Sequence, residues 1–464
     1  MSKQTKKRKK ITVIGAGSAS FGLATLAGII RTSGLHGMEL ALVDINIDGA
    51  NKIKKLAEIL NEKWNANMKI TATCERREAL PGSDYIIISI AIDREECWIS
   101  DYEIALKYNI THYAENGGPG AFAHSARNIS IILPIIEDIQ KLCPNAFVLN
   151  FTNPIQRICT AINKVSNIKF IGMCHQIYYG YYILGTLFPE IVGCKLRENT
   201  GFVWDDDFMY YHFNISDMAK KYFKIKAAGI NHFTCMLDVR EKESGEDVFA
   251  TVKDRMKILP VEFEPLTQEI FRIFDLLLVQ GDNHIVEYLP YASNLVSGTF
   301  KKYDIQMYDF KWASGKRDEM WEDIGLMINN KKEVDSLKDS RTERAEIIID
   351  SIEKNNNFYE EAVNIPNNGN ITNLTDGAIV EVPAIISGSG VTGLALGDLP
   401  KTMAEICNRQ LILNEMTVQS IIEGNIKLVY QLFALDPMID NLNTSVKLAD
   451  EYIKANIKYL PSFR

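Results

Sequence analysis

The chain has 464 residues, 46% hydrophobic and 24% charged, with a net charge of −8. That length exceeds the usual single-core limit and predicts two closely joined lobes, while the acidic balance speaks against a nucleic-acid partner. No apolar run approaches the ~20 residues that span a bilayer, the charged start lacks the apolar core of a secretory signal, and eight scattered cysteines suit the reducing cytoplasm better than a disulfide framework.

In chain order, the basic run at 6–10 reads as a solvated, frayed terminus. β-rich runs follow at 11–14, 40–43, 85–90, 146–150 and 169–171, with helical spacing between them, notably at 50–61 and 126–142. The alternation predicts an α/β fold: a Rossmann-like, doubly wound parallel sheet in an N-terminal domain, 1–172. Residues 173–464 predict a second, α+β and largely helical lobe. Within it, 227–239 reads as one strand, 331–344 as an exposed loop passing into helix, 364–369 as a loop of turn residues, and 378–383 as strand. The last ~60 residues read as helix.

Residues 11–22, ITVIGAGSASFG, put an apolar strand directly before Gly15-Ala16-Gly17 and a helix-compatible run. Such a turn lets a pyrophosphate approach backbone N–H groups at a helix start. Gly15, Gly17, Ser18 and Ser20 are therefore candidate cofactor-binding residues, Ser20 standing where a third glycine is usual. Asp44, at the end of the second strand, is placed to accept from ribose hydroxyls and to favour NAD over NADP.

Three polar segments then follow strands or join lobes: Asn150-Phe151-Thr152-Asn153-Pro154, Gly172-Met173-Cys174-His175 and Gly229-Ile230-Asn231-His232-Phe233. Spacing alone leaves Cys174 between a core thiol and a metal ligand, and His232 equally open.

The order of these segments, together with the glycine turn, Glu115-Asn116-Gly117-Gly118-Pro119-Gly120 and the stretches 363–369 and 379–384, resembles glycoside hydrolase family 4 over nearly the whole chain. The resemblance implies an NAD- and manganese-dependent glycosidase, an exception to two-carboxylate hydrolysis. Oxidation of the sugar at C3 would acidify the C2 proton, the leaving group would depart from C1, water would add, and C3 would be reduced again. It further implies that Cys174 and His232 ligate the metal, that Asn153 contacts substrate, and that 173–464 carries the substrate, metal and oligomer contacts of a homodimer or homotetramer. His175 becomes the acid, or else a hydroxyl contact. The base falls in the segment 280–288, with Asp282 favoured, and His284 and Tyr288 as alternatives; His284 is also a candidate substrate contact. Cys followed by His resembles members acting on unphosphorylated α-glucosides, α-galactosides or α-hexuronides. An NAD-dependent hydroxyacid or sugar dehydrogenase is the competing enzyme class. The stretch 195–221, with Trp204-Asp205-Asp206-Asp207, is extra relative to the family and reads as an exposed loop whose acidic run is a solvated turn.

Overall fold

The computed structural model describes residues 8–19, 21–110, 115–197, 201–293 and 298–463. The six apolar or alternating runs of the first half form β1 (Lys10–Ile14), β2 (Glu39–Val43), β3 (Lys69–Thr73), β4 (Tyr85–Ile88), β5 (Phe147–Asn150) and β6 (Lys169–Gly172). They pair in parallel in the order 3-2-1-4-5-6. β4 and β5 are buried along their whole length and β1 and β2 over all but the first residue, because helices cover both faces, which is why they read as unbroken apolar runs. This strand order opens a crevice where β1 and β4 diverge, the usual place for a dinucleotide.

The sheet does not stop there. β7 (Phe223–Ile230), β8 (Phe233–Glu241), β9 (Phe358–Pro366) and β10 (Ile379–Ser387) continue it antiparallel in the order 9-10-7-8, and β11 (Gly390–Gly393) pairs with β10. The join is at Gly172, whose partner is Asn364. Two of the sequence expectations change here. The predicted strand at 227–239 is a hairpin that reverses at Asn231-His232, with His232 held at φ +61. The predicted loop at 364–369 begins inside β9, and only the residues after Pro366 turn.

The stretch expected as an exposed loop also differs. Residues 206–222 form a helix, Asp206–Tyr222, packed on the helix Ile177–Leu187. Asp205 caps it by accepting from Phe208 N at 2.6 Å, and Asp206 pairs with Lys316 at 2.6 Å, so the acidic run is used at a helix start. Gly185 permits the close packing: a Cβ there would stand 2.2 Å from Ile215. Aromatic rings around Tyr182, Phe208 and Phe263 fill the interior of this part. No helix among the described residues is long and apolar enough to cross a membrane, and all eight cysteines are free.

Candidate active site

The glycine turn is built as a cradle. Gly15 sits at φ +93, and a Cβ there would stand 1.9 Å from Ser89 O, so only glycine fits. The N–H groups of Gly15 and Ala16 both donate to Val43 O, at 2.9 and 3.1 Å, which locks the turn onto β2. Asp44 is half-buried; its Oδ2 accepts from Gly17 N at 2.8 Å and its Oδ1 from Asn46 N at 2.8 Å. Its carboxylate therefore holds the turn and still has lone pairs for ribose hydroxyls. Ser18 is exposed on the open side of the turn; Ser20 lies outside the described residues.

At the carboxyl edge of β5 and β6 the other polar segments converge on one cavity of about 290 Å³. Cys174 Sγ stands 3.6 Å from His232 Nε2. The two atoms are close enough for one divalent ion to be held by both. Burial, with Glu381 and Glu343 adding to it, pushes the Cys174 thiol up, so the thiolate needs a cation beside it. Burial pulls His232 well below the usual histidine range, which keeps the imidazole neutral, the form that ligates metals. The left-handed His232 backbone is held by Gln176 Oε1, which accepts from His232 N at 2.8 Å. His232 Nδ1 faces Asn116 at 2.9 Å and Glu115 at 3.8 Å. Glu115, His232 and His284 bring ligand atoms within 4.8 Å of one another. The donor set of thiol, imidazoles and carboxylate fits a divalent cation.

Asn153 donates through Nδ2 to Glu115, and its Oδ1 is buried with no partner. His175 is more exposed, at 56%, with Nδ1 2.7 Å from Glu343 Oε1. The negative charge of Glu343 raises the His175 pKa against the opposing effect of burial.

The segment 280–288 divides by role. Tyr288 donates to Asn231 O at 2.9 Å and is buried outside the cavity lining, so it braces the hairpin. Glu287 Oε2 accepts from Asn116 N and Gly117 N at 2.6 and 3.2 Å, fixing the Glu115 loop. Asp282 does line the cavity, but it also has a structural task. Oδ1 accepts from Thr267 N and Thr267 Oγ1, and Oδ2 from Leu266 N, all at 2.7 Å, at the start of the helix Pro265–Phe274. Glu264 also meets the Asp282 side chain in a hydrogen bond. Burial and the nearby Glu264 push the Asp282 carboxyl well above its ordinary range. The His284 ring lies 4.3 Å from that of His232, and its Nδ1 is buried 3.7 Å from Glu287 Oε1.

Two groups of residues had no sequence signal. Glu343, which holds His175, comes from a loop 168 positions away. The far wall, Phe202, Trp204, Met209, His212 and Phe213, comes from the stretch expected to be an exposed loop.

The sheet order and the convergent polar edge define an enzyme of the nucleotide-binding α/β class. The family 4 glycosyl hydrolase model matches residues 10–183, and the model of that family's C-terminal domain matches 227–439. An α-glucosidase of Erwinia rhapontici is 31% identical, covering 97% of this chain and 98% of its own. An α-galactosidase of Bacillus subtilis (strain 168) is 26% identical, covering 98% and 100%. Among solved structures, a 6-phospho-α-glucosidase from gut microorganisms, in complex with NAD and Mn2+, superposes with a TM-score of 0.79 at 19% identity, covering 99% of this chain and 100% of that one. The chain belongs to family 4 of the glycosyl hydrolases.

Proposed function

We propose that this enzyme hydrolyses neutral α-glycosides, α-glucosides foremost, with NAD at the glycine turn and manganese between Cys174 and His232. One observation carries the substrate class: among the described residues lining the cavity there is no lysine or arginine, whereas Glu115, Glu264 and Asp282 are all present. A sugar bearing a 6-phosphate or a carboxylate would bury its charge there without a counter-ion, against acidic neighbours. The relatives named α-glucosidase and α-galactosidase agree with this class.

NAD, when bound, supplies reversible oxidation at C3, which acidifies the C2 proton, and the cation supplies Lewis-acid stabilisation of neighbouring negative charge. The chain's own groups do the rest. Asn153 Oδ1, buried without a hydrogen-bond partner, receives a sugar hydroxyl, and His284 lines the same cavity as a second contact. Asp282, whose carboxyl lines the cavity beside Glu264, takes the C2 proton. His175 donates from Nε2 to the departing oxygen while Glu343 holds Nδ1.

The test is a panel of aryl α-glucoside, α-galactoside, α-galacturonide and 6-phospho-α-glucoside, assayed with NAD, manganese and a thiol reductant. kcat/KM on the neutral substrates should exceed that on the charged ones by ~100-fold or more, about 2.7 kcal/mol. Omitting either cofactor should abolish turnover. Preference for the 6-phosphate would overturn the reading.

The acid assignment has its own pH test. Only protonated His175 can donate, so kcat/KM should fall as pH rises through its pKa, which Glu343 raises. Glu343→Gln removes that charge and should shift the alkaline limb to lower pH. A limb that stays in place would take the proton-donor role away from His175.

A further inference from the structure

The residues between the two family matches, 184–226, do not lie idle on the surface. They bring a row of rings into the active cavity. Phe202 meets Trp204 at 4.9 Å between centroids, Trp204 meets Tyr308 at 5.1 Å, and Tyr308 meets Trp98 at 5.5 Å. Behind the row stands His212, 7% exposed, among the rings of Tyr179, Tyr182 and Phe213. Neither of its ring nitrogens has a hydrogen-bond partner, although it lines the cavity. A buried imidazole with both nitrogens unpaired is costly unless something completes it.

The position of this wall follows from its ties to the acid. Arg341 donates to Phe213 O at 2.7 Å and binds Asp217, while Glu343, two residues on, holds His175. One loop thus fastens the helix Asp206–Tyr222 to the group that protonates the departing oxygen. Whatever leaves with that oxygen must lie along this wall.

We propose that residues 202–213 form a leaving-group subsite for a second, neutral sugar ring, which packs its C–H face on the aromatic row and places hydroxyls on His212. This rests on the glycosidase reading above. Aromatic faces favour apolar ring faces. Burial draws the His212 pKa down to about 3, so the imidazole offers one donor and one acceptor, the pair a hydroxyl can answer. The absence of lysine and arginine from the described lining leaves an anionic leaving group unmatched. The natural substrates are accordingly α-linked disaccharides or longer glucosides, not simple alkyl glycosides.

The experiment compares wild type, His212→Leu and Trp204→Phe on an α-linked glucose disaccharide and on α-glucosyl fluoride, whose leaving group is too small to reach the wall. His212→Leu should lower kcat/KM for the disaccharide by ~10-fold or more and leave the fluoride within twofold, and its Tm should match or exceed that of wild type. Trp204→Phe should lower the disaccharide value to a lesser degree with the fluoride unchanged. Equal losses on both substrates would make the wall structural, and no loss on either would remove the subsite. If wild type turns over neither substrate, the α-glucoside reading fails, and tryptophan fluorescence then judges the subsite alone. Tighter binding of disaccharide than of glucose, lost in His212→Leu, sustains it, and equal binding of the two sugars overturns it.

Discussion

Cys174→Ser is expected to weaken manganese binding by at least ~100-fold and to reduce hydrolysis of neutral α-glycosides in parallel, with NAD affinity retained. Residues that merely orient a metal ligand cost 10–100-fold when changed, so loss of a ligand sets that range as a floor. The sulfur stands 3.6 Å from His232 Nε2 in a setting where burial opposes the thiolate. A hydroxyl is a far poorer anion there and cannot replace it. Titration calorimetry with manganese reads the effect without any substrate. Wild-type manganese affinity in a folded Cys174→Ser protein would remove the cysteine from the coordination set.

Asp282→Asn should show two losses that can be read separately. In deuterated water the wild type should release sugar carrying deuterium at C2, seen by proton NMR as a missing coupling. The variant should lose that exchange and its turnover by ~10²–10⁴-fold, the usual worth of a general base. It should also lose stability, by about 1–3 kcal/mol. The reason is the cap: an amide that keeps its oxygen on Thr267 turns its NH2 toward the Leu266 N–H, donor against donor. Thermal unfolding measures the second loss. Undiminished exchange in the folded variant would move the base to His284. Full retention of the C2 hydrogen by wild type would exclude proton abstraction altogether.

The positions of β1, β2, β4, β5 and β6 were legible because strands of a covered parallel sheet are largely apolar and the first ends in a glycine turn. β3 was not: its KITAT sequence is an edge strand that alternates polar residues toward solvent. β9 hides for a different reason. It carries Glu360 and Glu361 in buried positions, acceptable only because Arg344 and Lys220 reach them at 2.6 and 2.8 Å. Partners so far along the chain leave no local periodicity. The reversal at Asn231-His232 escaped because neither residue is glycine or proline, and His232 holds its left-handed backbone through a bond to Gln176.

The site divides in the same way. Asn153, Cys174 and His232 announce themselves because each follows or joins strands, and the fold brings them to one edge. The second task of Asp282 depends on backbone groups of Leu266 and Thr267, sixteen and fifteen positions earlier, which no motif records. The wall at 202–213 gives no burial signal, because its aromatic residues stand around three successive aspartates, 205–207. The burial of those rings is decided by Tyr308 and by the helix Ile177–Leu187.

The continuity of the sheet sets a timetable for synthesis. The hairpin bearing His232 joins the nucleotide half through β10 and β9, not directly through β6. β10 leaves the ribosome about 150 residues after His232, on the order of 10–30 s at ~5–20 residues per second. Through that interval the hairpin lacks its sheet partners, and the bond from His232 N to Gln176 is a tie it has to the Cys174 segment. A ribosome-bound fragment ending near residue 350 would carry every proposed metal ligand in its sequence and still lack the two strands that join the hairpin to the nucleotide half.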